Sequence, residues 1–167
     1  MLATMFSFPN PVNEKAARTV AFVVMLLAAV TLATSFYWLL VVLAYGFIAR
    51  VLTGPTLSPL GRVASSVIAP HLGAAKPVAG PPKRFAQGMG AVISTAAAIA
   101  ALAFGSDGVA DVLLGMLILA AGLESIFAFC VGCRVFALLM RAGLVPEAVC
   151  AECADIWAPR QTAGSGA

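Results

Sequence analysis

Charge is what this sequence has least of. Among 167 residues, ten are Lys or Arg, seven are Asp or Glu and one is His, so 10% of the chain is charged against 62% hydrophobic. A soluble domain of this length has too little interior to bury so much apolar surface, and a mean hydropathy of +1.02 excludes that class. Histidine is nearly absent: His71 stands alone in a proline-rich stretch and reads as a solvated loop residue, so a Ser-His-Asp set is excluded. No glycine-rich phosphate loop is visible. The cations are too scattered for a basic stripe with interleaved aromatics, so the net charge of +3 does not point to nucleic acid. The composition requires lipid as its solvent.

What is abundant is organised in apolar runs. Asn10 has the chemistry of a helix cap and Pro11 suits a first helical position. Residues 19–35 carry no charge and match the about 17–25 residues a bilayer requires. Ala33-Thr34-Ser35 loosely resembles a signal cleavage site, but the run is longer than a usual signal core and a second follows at once, which makes it an anchor. That second run, residues 36–52, opens with Tyr37 and Trp38, suited to the outer interface, and closes near Arg50. A third, residues 85–104, carries a small-residue stripe of Gly90, Ser94 and Ala98, with Ala91 and Thr95 beside it. Such stripes let helix backbones approach closely, within a chain or between subunits of an oligomer.

The fourth run, residues 109–140, is too long for one perpendicular crossing. The span is expected over residues 111–133, with the helix continuing past Arg134, and Gly143 ends it. Pro146 is expected to open a cytoplasmic helix over residues 146–157, before a disordered tail at residues 161–167. Between the second and third spans, residues 53–84 hold Pro55, Pro59, Pro70, Pro77, Pro81 and Pro82, which forbid a long helix. Within this loop Leu60, Val63, Val67 and Ile68 recur at helical spacing, which predicts a short helix in the interface plane or a loop packed on helix ends. The expected fold is all-α: one domain, residues 1–160, an integral membrane bundle of about four transmembrane helices.

Charge asymmetry orients the bundle. Every Lys and Arg lies before the first span, between the second and third, or after the fourth; the opposite loops carry only Asp107 and Asp111. The positive-inside rule places both termini in the cytoplasm, with the chain as a multi-pass protein of the plasma membrane.

Two Cys-x-x-Cys pairs, Cys130/Cys133 and Cys150/Cys153, then face the cytosol, where thiols are kept reduced. Their spacing matches a four-cysteine zinc site. It also suits thiol redox or sulfur transfer, in which one thiolate attacks and a second cysteine three residues on resolves the mixed species. Simple packing of small apolar side chains is the third reading. Arg134 and Arg141 favour thiolate formation at the first pair, whereas Glu147, Glu152 and Asp155 disfavour it at the second. Cys130 and Cys133 are therefore the redox candidates.

Glu124 is the other anomaly. On a continuous helix it lies roughly 15 Å deeper than Arg134, about 120° round from Cys130 and nearly opposite Cys133, so it is no obvious base for either. An intramembrane carboxylate is a functional candidate by default. The bland reading is packing with a hydrogen bond to Ser94, Thr95 or Ser125.

The segments Asn10-Pro-Val-Asn-Glu-Lys-Ala-Ala-Arg18, Leu57-Ser-Pro-Leu60, Pro82-Lys-Arg-Phe-Ala-Gln87 and Glu124-Ser-Ile-Phe-Ala-Phe-Cys-Val-Gly-Cys133 resemble a bacterial membrane family, domain of unknown function 4395, common in actinobacteria. The resemblance covers residues 8–140. It supplies no activity, but it implies a setting beside thioredoxin-like proteins and rhodanese-type sulfurtransferases as soluble partners. A weaker likeness is to quinone-linked disulfide oxidoreductases, whose Cys-x-x-Cys works on the outer face rather than the inner. The leading expectation is a membrane-anchored cytosolic thiol site. The alternatives are a small channel or carrier for a sulfur-containing solute, lined by Glu124 and the cysteines, and a metal-stapled structural anchor.

Overall fold

The structure, a computed structural model, describes residues 10–146 and Val149. Its main elements are α1 (Glu14–Thr34), α2 (Leu39–Thr53), α5 (Gly80–Leu102), α6 (Asp107–Phe127) and α7 (Val131–Arg141). Between α2 and α5 the chain forms a short helical run, α3 (Pro59–Val63), a π-helical turn (Ala64–Ile68) and α4 (Ala69–His71). Two short strands, β1 (Val12–Asn13) and β2 (Pro77–Val78), pair antiparallel and tie the entry of α1 to the entry of α5.

Three helices, α1, α5 and α6, are long and apolar enough to cross a membrane; α2 is apolar but has 15 residues. α1 packs on α6, α2 on α5, and α5 on α6. Side-chain bonds fix how the ends meet: Arg50 near the end of α2 reaches Gln87 near the start of α5, and Tyr37 at the α1–α2 turn donates to Asp111 at the start of α6. The interior is built from small residues with a few large ones. Ala28, Leu40, Ala110, Leu114, Thr31 and Ser94 are fully buried. Gly90 faces Phe47 so closely that any Cβ there would overlap the ring. The Gly90–Ser94 stripe therefore packs within the chain. The outward faces carry exposed Phe22, Leu26, Val41, Val92, Val112 and Leu119, an apolar belt that only lipid solvates. The molecule is an all-α membrane bundle.

Several expectations need correction. α1 is capped by Asn13, whose side chain accepts from the Lys15 N–H at 3.1 Å. Asn10 instead accepts from the Gly80 N–H at 2.9 Å, and the helix begins only at Glu14, so neither Asn10 nor Pro11 opens it. The loop over residues 53–84 is shorter than expected, since α5 begins at Gly80 with prolines in its first turn. The helical run at residues 59–71 exists, but Val63 and Val67 point outward while Gly61, Ala64 and Ala69 are buried. Small size, not hydrophobicity, sets the packing face there.

The largest departure is in the fourth run. α6 stops at Phe127, Ala128 takes a left-handed conformation (φ 55°), and a separate helix restarts at Val131. Arg18 explains part of the stop, because its guanidinium takes the otherwise unbonded carbonyls of Ser125 (2.9 and 3.1 Å) and Ile126 (3.1 Å). α7 turns onto α5, burying Gly132, Phe136, Ala137 and Met140 on one face. Gly143 follows it with φ 73°, as expected of a helix stop. Apart from Pro146 and Val149, the expected helix at residues 146–157 and the tail at 161–167, with Cys150 and Cys153, lie outside the described residues.

Candidate functional site

The break between α6 and α7 places Cys130 at the N-cap of α7, in extended conformation, with Cys133 in the first turn. N-terminal backbone N–H groups and the helix dipole favour an anionic sulfur at that position. Both cysteines are free; Cys130 is 8% exposed and Cys133 half-buried.

The intervening Gly132 is required by packing. A Cβ built there would lie 2.5 Å from the Ala86 Cβ and 2.6 Å from its Cα, so α7 rests directly on the α5 backbone. Phe136 continues the contact one turn later, its ring 5.6 Å from that of Phe85.

The break also changes the position of Glu124. On a continuous helix it would point away from both cysteines. Here Glu124, Cys130 and Gly132 line one cavity of about 70 Å³, with Gln87 and Phe47 on its other walls. Ser94, Thr95 and Ser125 are not its partners: Glu124 is bonded to the Lys83 ammonium at 2.5 Å, and both side chains are largely buried.

Lys83 is also the cation beside the cysteines. The Cys133 side chain donates to the Cys130 sulfur. This bond, together with the Lys83 charge, holds the Cys130 thiol below its ordinary value against burial and the Glu124 carboxylate. The same bond, with burial, pushes Cys133 up. The pair is thus polarised, with the lower thiol pKa at Cys130 and the higher at Cys133. Arg134, expected to activate the pair, lies over the Phe129 ring at 5.2 Å instead.

Sequence reading missed Lys83 and Arg50, treating them only as orientation charges. One signal was available. Lys83 and Arg84 sit near the start of α5, the wrong end of a helix dipole for cations, which calls for compensating partners. Arg50 is 6% exposed in the last turn of α2, bonded to Gln87 at 2.8 Å and stacked 4.7 Å from the Phe47 ring centre.

A zinc site of four cysteines needs Cys150 and Cys153. Among the described residues, no group of three or more His, Cys, Asp or Glu converges in a way that could hold a metal.

Comparison with curated proteins and with solved structures returned no match. The family model described as domain of unknown function 4395 matches residues 12–141, which takes in the whole bundle, the Lys83–Glu124 pair and the Cys130/Cys133 motif, and the chain belongs to that family.

Proposed function

We propose that the protein presents Cys130 and Cys133 as a cytosol-facing dithiol for thiol–disulfide or sulfur exchange with a soluble partner. The observation that carries this reading is the break at residues 128–130, which sets Cys130 at a helix start with Cys133 one turn on and Lys83 beside both. A continuous transmembrane helix would have buried the pair as packing. Orientation follows from charge: every described Lys and Arg belongs to the bundle end that holds α7, the start of α1 and the loop before α5, and that end is cytosolic by the positive-inside rule.

In the exchange, the Cys130 thiolate attacks a partner disulfide, forming a mixed disulfide and releasing one partner thiolate. Cys133 then attacks the Cys130 sulfur and its proton passes to the departing second thiolate. The partner gains two electrons and the pair becomes a disulfide, which a cytosolic thiol reductant returns to the dithiol. Thioredoxin-like proteins and sulfurtransferases have the chemistry to act as partners.

Cys133→Ser is expected to trap a soluble thiol protein in an adduct that reductant releases, while Cys130→Ser traps none. Equal behaviour of both variants and wild type in trapping and thiol titration would remove the reading. An impermeant maleimide added outside cells should label a cysteine placed in the turn at residues 105–108, but not one near Lys76; the reverse pattern would move the dithiol to the outer face.

A carrier for a sulfur-containing solute has less support, because Glu124 is held by Lys83 and the cavity it lines has room for only about two waters.

A further inference from the structure

Arg50 is a buried cation that shares its counter-charge: Glu124 acts on it at a distance but is bonded directly to Lys83. It is 94% buried by its 6% exposure, and its bonds go to neutral groups, the Gln87 carbonyl at 2.8 Å and the Ser58 hydroxyl at 3.4 Å. The ion pairs among the described residues are Lys76–Glu14 and Lys83–Glu124, and neither includes Arg50. With the Cys130 thiol protonated, the cluster of Arg50, Lys83 and Glu124 therefore carries one net positive charge in the bundle interior. An uncompensated buried charge costs several kcal/mol, and two neutral acceptors and an aromatic face recover only part of that.

Arg50 borders on open space. Arg50 and Lys83 line a cavity of about 240 Å³ whose other polar walls are Asn13, Ser65 and Gln87. This is a second cavity, which shares Val20 and Gln87 with the one lined by Glu124 and Cys130. Its rim comes from the chain before α1 and from the helical run after α2, both at the bundle end assigned to the cytosol. Gly61 brings that run within 3.1 Å of the Pro55 Cα, measured from where its Cβ would be, and the π-helical turn places Ser65 at the opening. At about 30 Å³ per water, the volume accommodates a small oxyanion with part of its hydration shell.

We infer that this cavity binds a small oxyanion, of sulfate or phosphate type, between Arg50 and Lys83. An arginine and a lysine lining one space suit such an ion, since a guanidinium offers a planar fork of donors and an ammonium a point charge. The oxyanion is a free cytosolic ion or the phosphate of a lipid headgroup. The inference goes beyond the dithiol reading and does not depend on it.

The test uses the full-length protein in a neutral detergent. Sodium sulfate, sodium phosphate and a short-chain phosphatidylglycerol are each titrated against sodium chloride at matched ionic strength, with the thermal unfolding midpoint as readout. A saturating rise above the chloride control is expected for at least one of the three. Sulfate or phosphate acting alone identifies a free ion as the source; the lipid acting alone identifies a headgroup. Arg50→Met should abolish the rise. Because Arg50 packs on Phe47 and its loss also disturbs folding, Ser65→Asp provides the second probe: it sets a carboxylate at the exposed rim and should weaken binding about tenfold or more. No rise beyond chloride with any probe, or an unchanged midpoint curve in Ser65→Asp, overturns the inference.

Discussion

Gly132→Ala tests the geometry on which the dithiol depends. The added methyl would lie 2.5 Å from the Ala86 Cβ and 2.6 Å from its Cα, where carbon atoms prefer about 3.5–4.0 Å. Both obstacles belong to a helix backbone rather than to the end of a flexible side chain, so α7 must lift by about 1 Å or more. Overpacking of this kind costs about 1–3 kcal/mol, and the displacement carries Cys133 away from Lys83. The expected outcome is a lower unfolding midpoint in micelles together with slower alkylation of Cys130 at neutral pH. Ala86→Gly removes the obstructing methyl. Alone it should cost about 1 kcal/mol, as glycine does inside a helix, but combined with Gly132→Ala it should restore part of both the midpoint and the alkylation rate. That recovery is a coupling between two contacting residues, which a double-mutant cycle isolates. Alkylation and stability unchanged in Gly132→Ala would show that α7 does not rest on α5 as described, and the assignment of Cys130 to a helix start would fall with it.

Other variants probe the charges around the pair. Lys83→Met leaves Glu124 buried without its partner and should destabilise the protein by about 3–5 kcal/mol; the double variant with Glu124→Gln should recover much of the loss, read as unfolding midpoints. Because the Cys133 hydrogen bond and then Lys83 hold the Cys130 thiol below its ordinary value, iodoacetamide should modify Cys130 at a rate that reaches its plateau at lower pH than for a free cysteine (about 8.5), with Cys133 reacting only at higher pH; coincident profiles for the two would refute the polarisation. In Cys133→Ala the Cys130 profile should move to higher pH, since the principal cause of its depression is gone. Arg18→Ala removes the donors to Ser125 and Ile126 and should cost about 1.5–3 kcal/mol, with faster amide exchange at Ala128 and Phe129 as the sign that the end of α6 has frayed.

The parts of this molecule that were legible in the sequence are those set by local composition. Uncharged runs gave the apolar helices, and the Gly90–Ser94 stripe gave a close helix contact. The start of α7 was not legible, because no proline or glycine stands between Gly122 and Gly132 to mark a stop. The break at Ala128 is made by tertiary contacts: Arg18, about a hundred residues earlier, satisfies the last carbonyls of α6, and the apolar face of α7 finds α5. The pairing of Lys83 with Glu124 was hidden for the same reason, since 41 residues separate them and a serine or threonine partner looked as plausible by depth. An error in one helix boundary then propagated to the chemistry. Extending α6 through Cys133 rotated Glu124 away from the cysteines and put Arg134 where Lys83 belongs.

The break also accounts for why two cations are gathered at one bundle end. A helix that stops inside a membrane protein exposes carbonyls on one side of the gap and N–H groups on the other, and neither can be left in lipid. Arg18 occupies the carbonyl side, and the N–H side begins at Cys130, where an anionic sulfur suits it. Placing a thiolate there next to Glu124 would set two negative groups together, and Lys83 lies against both. Lys83 therefore serves Glu124 and, once Cys130 ionises, its thiolate as well, so whatever draws its charge toward the Arg50 cavity weakens its hold on both. An oxyanion bound between Arg50 and Lys83 should accordingly slow Cys130 alkylation at a fixed pH near neutral, and the slowing should disappear in Ser65→Asp along with binding. Slowing that persists in that variant would place the anion at the dithiol itself and separate the two cavities as independent sites.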